Sequence, residues 1–263
     1  MKRNSIWIRK KGLELGLFPS AAIIAPGLRI CFHSRRNGAS VGPYESLNIG
    51  MTVGDSPASV RRNRELLLDA AGVPEENLAL AEQVHGSVVA VARRGALHDG
   101  ADGLVTREKD LVLAVSTADC YPVVIHSPPE RALAALHVGR NGAAEGIIER
   151  GMTLMRDSFR IDPSASVAFI GPGICAGCYE IGWDEAKRFR PAFRERRGGR
   201  YRLDLLSFCR EELRRCGIPA GHVFEAGLCT SCDPRLFFSY RRDGGVTGRH
   251  WMLAMMTGVS RWA

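Results

Sequence analysis

No apolar run in the 263 residues approaches the roughly 18–20 needed to cross a bilayer, so a spanning helix is excluded. Internal repeats, low-complexity tracts and long Pro/Gly/Ser linkers are also missing, and one domain is expected. The N-terminus begins basic, but Arg9, Lys10 and Lys11 interrupt the hydrophobic region a signal peptide needs, and AAIIAPGLRI is short and broken by Pro26. The expectation is a cytoplasmic protein whose eight cysteines stay reduced, as ligands or nucleophiles before disulfides. No HExxH, GxSxG, P-loop or deaminase-type H-x-E with P-C-x-x-C occurs. Lysine is scarce. The net charge of +8 is nearly all arginine spread along the chain, with short clusters at 195–202 and 240–245. Without an aromatic-interleaved basic stripe or zinc-finger spacing, this reads as a solvated surface that attracts small anions, with neither nucleic acid nor membrane as partner.

What is present is a mixture of short elements. LRICFHSR (28–35) alternates like a strand, and 1–27 reads as an N-terminal extension to a single domain over 28–263. DSPASVRRNRELLLDAAG (55–72) has Ser56 as N-cap, Pro57 at the first helical position and Gly72 as stop. The run 78–92 is strand-like on both sides of His85. LVLAVSTADC, YPVVI and ALAALHVG are three consecutive strands, followed by a helix over AAEGIIERGMTLMRDSF and a strand over SVAFIGPGI. WDEAKRFRPAF reads as a helix broken by Pro191, and 203–217 as one capped by Asp204 and ended by Gly217. HVFEAG and a hairpin-like pair, FFSYRR with HWMLAMM, close the chain. Strands and helices do not alternate regularly, which favours an α+β fold of mixed sheets with flanking helices over a doubly wound sheet.

Cys120 stands just before one buried strand and His137 near the end of the next; His85, followed by a glycine, ends a third apolar segment. Taken alone, the pair fits a core thiol and a hydrogen-bonded histidine. Two imidazoles and one thiolate also match the ligand set of catalytic zinc, which keeps a fourth position for water and lowers that water's pKa towards ~7. A second constellation is CAGC (175–178) with CTSC (229–232), two C-x2-C pairs of the kind that bind structural zinc, although their separation exceeds that of a usual ribbon. Pocket-lining thiols are the alternative. Cys31, Cys209 and Cys216 read as core residues. His33, His98, His126, His222 and His250 are isolated and read as surface or hydrogen-bonded residues.

QVHG around His85, TADCYPVVI around Cys120 and ALHVGRNGAAEGI around His137 resemble the three signature blocks of the laccase-domain (YfiH-like) family. The likeness continues through FHSRRNGAS, ESLNIG, VGDSPASVRRNRELL, GPGICAGCYEIG, CTSC and FFSYRRDGGVTGR, in family order over about 28–256. It implies the family's fold, which is like that of cysteine hydrolases, and one zinc ion held by His85, Cys120 and His137. It also implies action on purine nucleosides and phosphate: phosphorolysis of adenosine, inosine or methylthioadenosine, with adenosine deamination. Arg35 and Asn48 stand at the family's arginine and asparagine positions and are assigned to the substrate pocket, with Asp119 as an acid/base beside the thiolate. The usual block His-Ala-Gly-Trp-Arg-Gly reads HVGRNG here, so Arg140 replaces tryptophan and Asn141 replaces arginine, and Arg140 joins the substrate-contact candidates.

Two other activities compete. A cysteine hydrolase or amidase would use Cys120 as nucleophile and His137 as base, and a zinc-bound thiolate would be a poor nucleophile. A copper-dependent polyphenol oxidase with trinuclear and mononuclear centres would need on the order of ten imidazoles; the chain has seven histidines and no His-x-His pair. A single copper ion remains the minor cofactor alternative to zinc.

Overall fold

In the computed structural model, residues 5–258 are described. The chain opens with a hairpin, β1 (Ile6–Lys10) and β2 (Leu13–Leu17), then α1 (Pro19–Ile24) and β3 (Leu28–His33). Next come α2 (Pro57–Ala71), β4 (Leu78–Ala81), β5 (Val89–Val91), β6 (Leu97–His98), β7 (Gly103–Thr106), β8 (Val112–Thr117), β9 (Tyr121–Ser127) and β10 (Ala132–Val138). They are followed by α3 (Arg140–Ala144), α4 (Ile147–Phe159), β11 (Val167–Ile170), β12 (Glu180–Ile181) and α5 (Trp183–Ala186). The last elements are β13 (Arg194–Arg197), β14 (Arg200–Leu203), α6 (Leu205–Arg215), β15 (Val223–Glu225) and β16 (His250–Met256).

Two mixed sheets carry the molecule: β1-β2-β3-β16-β8-β4-β6 and β15-β11-β9-β10-β7-β5, with β12-β14-β13 as a small third. The strand period of two sorts their side chains into layers. Ile30, Phe32, Leu113, Val115 and Met252 from the first sheet meet Val124, Leu133, Ala135 and Phe169 from the second. The alternate residues, Cys31, Ala114, Trp251 and Leu253, face Leu67 and Leu68 of α2. Val123, Ile125, Ala134 and Leu136 face Ile147, Met152 and Met155 of α4 and Cys209 and Leu213 of α6. Helix, sheet, sheet and helix are therefore stacked, and the central strands, covered on both faces, read as continuous apolar runs. The α+β fold with mixed sheets is as expected.

Several local expectations hold. Ser56 accepts from the Ser59 N–H, Gly72 ends α2 in the left-handed region (φ 67°), and Asp204 caps α6 through the Ser207 N–H at 2.9 Å. Residues 5–27 place β1 and β2 at the edge of the first sheet, where β2 pairs with β3. Other expectations are corrected. FFSYRR is not a strand: the Phe237 carbonyl accepts from Arg242 rather than entering a ladder, and β16 pairs with β3 and β8. The helix expected over 143–159 is split by Gly146 in the left-handed region (φ 81°), giving α3 and α4. WDEAKRFRPAF keeps only the short α5 and a single turn over Pro191–Phe193.

Candidate metal and active site

The site forms where the chain passes between the sheets. β4 leaves the first sheet and β5 enters the second, with His85 between them; Cys120 occupies the turn from β8 to β9. In the β9–β10 ladder His137 lies opposite Pro122 and Val138 opposite Tyr121, so the next step outward sets Gly139 against Cys120. A Cβ at Gly139 would stand 3.1 Å from Cys120 Sγ and 3.4 Å from His85 Cδ2, so glycine is what lets the three elements close up. The candidate ligand atoms of His85, Cys120 and His137 all lie within 4.8 Å of one another. Their rings and thiol grade from exposed His85 through half-buried Cys120 to buried His137, leaving one side open.

Asp102, buried just before β7, holds this arrangement together. Its Oδ1 accepts from His137 Nδ1 at 2.8 Å and from the His85 N–H at 2.9 Å. Its Oδ2 accepts from the N–H groups of Val84 (3.1 Å) and Gly86 (2.7 Å), while its carbonyl accepts from the His137 N–H at 2.8 Å. Gln83 and His85 both have φ 63°, an uncommon conformation for residues with a Cβ, and these bonds help hold the turn. Burial pushes Asp102 towards neutrality, but His137 and the N–H donors outweigh it and lower its pKa. With Nδ1 tied to Asp102, His137 presents Nε2 to the site, the carboxylate–histidine arrangement found behind metal ligands.

The same geometry makes a thiolate–imidazolium pair. Burial favours the neutral thiol, yet His137 and His85 outweigh it and bring Cys120 down to about 6. Burial lowers His137, but the charges and hydrogen bonds of Cys120 and Asp102 lift it to about 9. Borderline and soft donors that converge in this way, one already braced by a carboxylate, fit a zinc-type ion.

The other sequence candidates surround this centre. Asp119 (φ 98°) is fully engaged: Oδ1 accepts from Thr230 Oγ1 at 2.6 Å and Oδ2 from the Arg241 N–H at 2.7 Å. Asn48 is buried, with Oδ1 accepting from the N–H groups of Gly50 and Arg249 and Nδ2 donating to Asp55. Arg35 stacks on Phe238 at 4.4 Å and donates Nε to the Glu45 carbonyl at 2.7 Å. Arg140 pairs with Glu185 at 3.4 Å, and its Nε is buried with no hydrogen-bond partner. Asn141 accepts from Arg188 at 3.1 Å, so Arg140 and Asn141, which stand where the family block has tryptophan and arginine, tie α3 to the segment 183–188.

Sequence reasoning missed Asp102, Arg249 and Tyr179. Arg249 is half-buried; burial weakens its hold on the proton, while its largest opposing influence is Cys120. Tyr179 is pushed up to about 12 by burial, then by Cys120, and has the Arg241 guanidinium 5.1 Å over its ring. A GRH or CYE triplet carries no signal of its own; only the adjacent family blocks hinted at these positions.

Residues 29–257 match the family described as multi-copper polyphenol oxidoreductase laccase. The chain is 34% identical to the purine nucleoside phosphorylase YlmD of Geobacillus stearothermophilus over 268 residues, 95% of each protein. It is 38% identical to a purine nucleoside phosphorylase of Deinococcus radiodurans over 234 residues, 86% of this chain and 89% of the relative. Among solved structures, the Bacillus licheniformis hypothetical protein YfiH superposes with TM-score 0.87 at 29% identity, covering 92% and 96% of the two chains. YlmD of G. stearothermophilus gives TM-score 0.86 at 32% identity, covering 98% of each. No helix among the described residues is long and apolar enough to cross a membrane.

Proposed function

The chain belongs to the multi-copper polyphenol oxidoreductase laccase family, and on that footing we propose that it is a zinc-dependent purine nucleoside phosphorylase. The observation that carries this reading is the convergence of His85, Cys120 and His137 at the open junction of the sheets, in a chain similar along nearly its whole length to proteins of that name. Seven histidines without a His-x-His pair argue against a multicopper centre in this member. A zinc ion held by the three residues would supply Lewis acidity to a substrate oxygen or nitrogen at its open position.

In phosphorolysis a phosphate oxygen attacks C1′ of the ribose, the C1′–N9 bond breaks, and the purine leaves with the bonding pair and takes up a proton. This chain contributes charge and position. Arg249 and Arg140 supply cationic donors for phosphate beside the centre. Asn48 acts through Arg249, whose N–H it accepts, and Arg35 braces the 35–48 loop against Phe238. Asp119 is a positioning residue rather than an acid/base, since both of its oxygens hold the loops that carry Thr230 and Arg241. Tyr179, which both Cys120 and Arg140 influence, supplies an aromatic wall for the purine beside the centre.

The test is product analysis of zinc-loaded protein with inosine and with adenosine, each with and without phosphate. Free base and ribose 1-phosphate should form only with phosphate, and Arg249→Ala should raise KM for phosphate by about tenfold or more. Inosine and ammonia formed from adenosine without phosphate would mark the deaminase activity, in which water replaces the C6 amino group. Absence of base release in every condition would overturn the phosphorylase reading.

The thiolate–imidazolium pairing of Cys120 and His137 favours a second reading, an amidase of the cysteine-nucleophile type. Metal distinguishes the two. Chelation should enhance an amidase and abolish a zinc enzyme, and alkylation of Cys120 should be blocked by zinc.

A further inference from the structure

Four cysteines outside the nucleoside site come together from two segments some fifty residues apart in the chain. Cys175 caps and Cys178 ends a single helical turn, Ala176–Cys178, closed by the Cys178 N–H donating to the Cys175 carbonyl at 3.0 Å. Cys229 and Cys232 flank a second turn, in which the Asp233 N–H donates to the Cys229 carbonyl at 3.3 Å. The turns are locked face to face by a parallel bridge between Gly173 and Cys229 and by the Thr230 N–H on the Gly173 carbonyl at 3.1 Å. All four Sγ atoms lie within 4.8 Å of one another; Cys178 and Cys232 are 3.4 Å apart, Cys175 and Cys232 3.9 Å. The Cys175 N–H points at Cys229 Sγ at 3.3 Å, a donor that favours an anionic sulfur.

We propose that Cys175, Cys178, Cys229 and Cys232 bind a tetrahedral structural zinc ion, separate from the nucleoside site. Metal–sulfur bonds of about 2.3 Å in a tetrahedron set neighbouring sulfurs a little under 4 Å apart, close to the 3.4 and 3.9 Å of the two Cys232 pairs. A disulfide fits worse. It would join one pair at ~2 Å and leave two thiols stranded beside it, whereas one ion engages all four sulfurs. The closed ligand set leaves no position for substrate, so the ion's role is to fasten loops.

Those loops are the ones that build the neighbouring site. Between the two cysteine pairs and Cys120 run the Ile174 N–H to the Asp119 carbonyl (2.8 Å), Tyr121 Oη to the Ile174 carbonyl (2.9 Å) and Thr230 Oγ1 to Asp119 (2.6 Å). Arg242 donates to the Thr230 carbonyl at 2.8 Å and pairs with Asp243 at 2.7 Å, which ties the Cys229–Cys232 turn to the segment 239–243. The four-thiolate ion thus clamps the Asp119–Cys120 turn from behind, whatever substrate the front accepts.

The experiment is metal analysis and zinc K-edge absorption on the full chain purified under reducing conditions, beside His85→Ala/His137→Ala and Cys175→Ser/Cys232→Ser. The proposal expects two zinc ions in the native chain, averaging between two and three sulfur ligands per ion. It expects one ion, bound by sulfur alone, in the histidine variant, and one ion with mixed nitrogen and sulfur ligands in the cysteine variant. Cobalt loading of the unmutated chain gives a check that needs no variant, because four thiolates produce strong sulfur-to-cobalt absorption. One zinc with a single sulfur ligand in the native chain, or loss of all metal from the histidine variant while it stays folded, would overturn it. So would a Cys178–Cys232 or Cys175–Cys232 disulfide found by mass spectrometry in protein prepared with zinc and reductant.

Discussion

His137 Nδ1 donates to Asp102 Oδ1 at 2.8 Å inside the protein, and the same carboxylate collects the N–H groups of Val84, His85 and Gly86. One buried acid therefore sets the ring of one candidate ligand and the backbone of another. Asp102→Asn keeps the shape but puts an amide donor against N–H groups that need acceptors. It should weaken zinc binding at the nucleoside site by about 10–100-fold, read by competition with a chromophoric chelator. An unchanged affinity would remove Asp102 from the account.

Gly139, which caps α3, and Gly142 within it should differ in what they damage. At Gly139 an added Cβ meets Cys120 Sγ and the His85 ring edge, both side-chain atoms. Gly139→Ala should therefore lower metal affinity while costing little stability. At Gly142 the added Cβ would lie 2.3 Å from the Gly86 carbonyl oxygen, which is backbone. Gly142→Ala should cost about 1–3 kcal/mol and should loosen the His85 turn. Urea unfolding and zinc titration of both variants separate the effects, and equal losses in both would contradict this assignment.

Acid should destabilise the protein through two buried histidines away from the metal residues. His33 Nε2 accepts the Trp251 N–H at 2.9 Å, so its Nδ1 donates to the Ser34 carbonyl at 2.8 Å and the ring is neutral. Burial lowers its pKa to about 4. His250, with its ring centroid 5.1 Å away, accepts the Phe238 N–H through Nε2. Burial, and then the charges of His33, Arg35, Arg249 and Arg242, push it well below its ordinary value. The unfolded chain takes up these protons near pH 6.5, above the folded state, so stability rises with pH across the window from about 4 to 6.5. Falling from pH 7 to pH 5 should cost about 2 kcal/mol from His33 alone, seen as a lower urea midpoint. A midpoint that is flat or rises on acidification would contradict it.

The layered core predicts a separate and larger effect. Phe169 is fully buried between the sheets against Phe18 and Phe224. Phe169→Ala should cost about 3–5 kcal/mol without removing any group at the metal site, so zinc affinity of the protein that remains folded should hold. A loss under 1 kcal/mol by thermal or urea unfolding would mean the sheets do not depend on this contact.

The sequence was most legible where one local rule decided the outcome. Ser56, Pro57 and Gly72 bracket α2, and the doubly covered strands β8 to β10 show as plain apolar runs. His85, Cys120 and His137 were readable because family blocks surround them. Asp102 was not: it is one of two aspartates in HDGADGLVT, and its meaning arises only when β7 pairs with β10 and the 83–86 turn folds over it. The β13–β14 hairpin was read as a charge cluster because RERRGGRYR lacks apolar alternation, although Gly198 and Gly199, both with positive φ, are a turn signal. FFSYRR misled in the other direction, since its two phenylalanines pack around His250 without joining a sheet.

The most direct test of the central claim is a zinc titration of metal-stripped protein, following phosphate-dependent release of base from inosine in the same cuvette. The account predicts negligible turnover without metal, a rise that saturates as the His85–Cys120–His137 site fills, and no rise in His85→Ala. Full turnover in the stripped protein, or an equal response to zinc in His85→Ala, would contradict it.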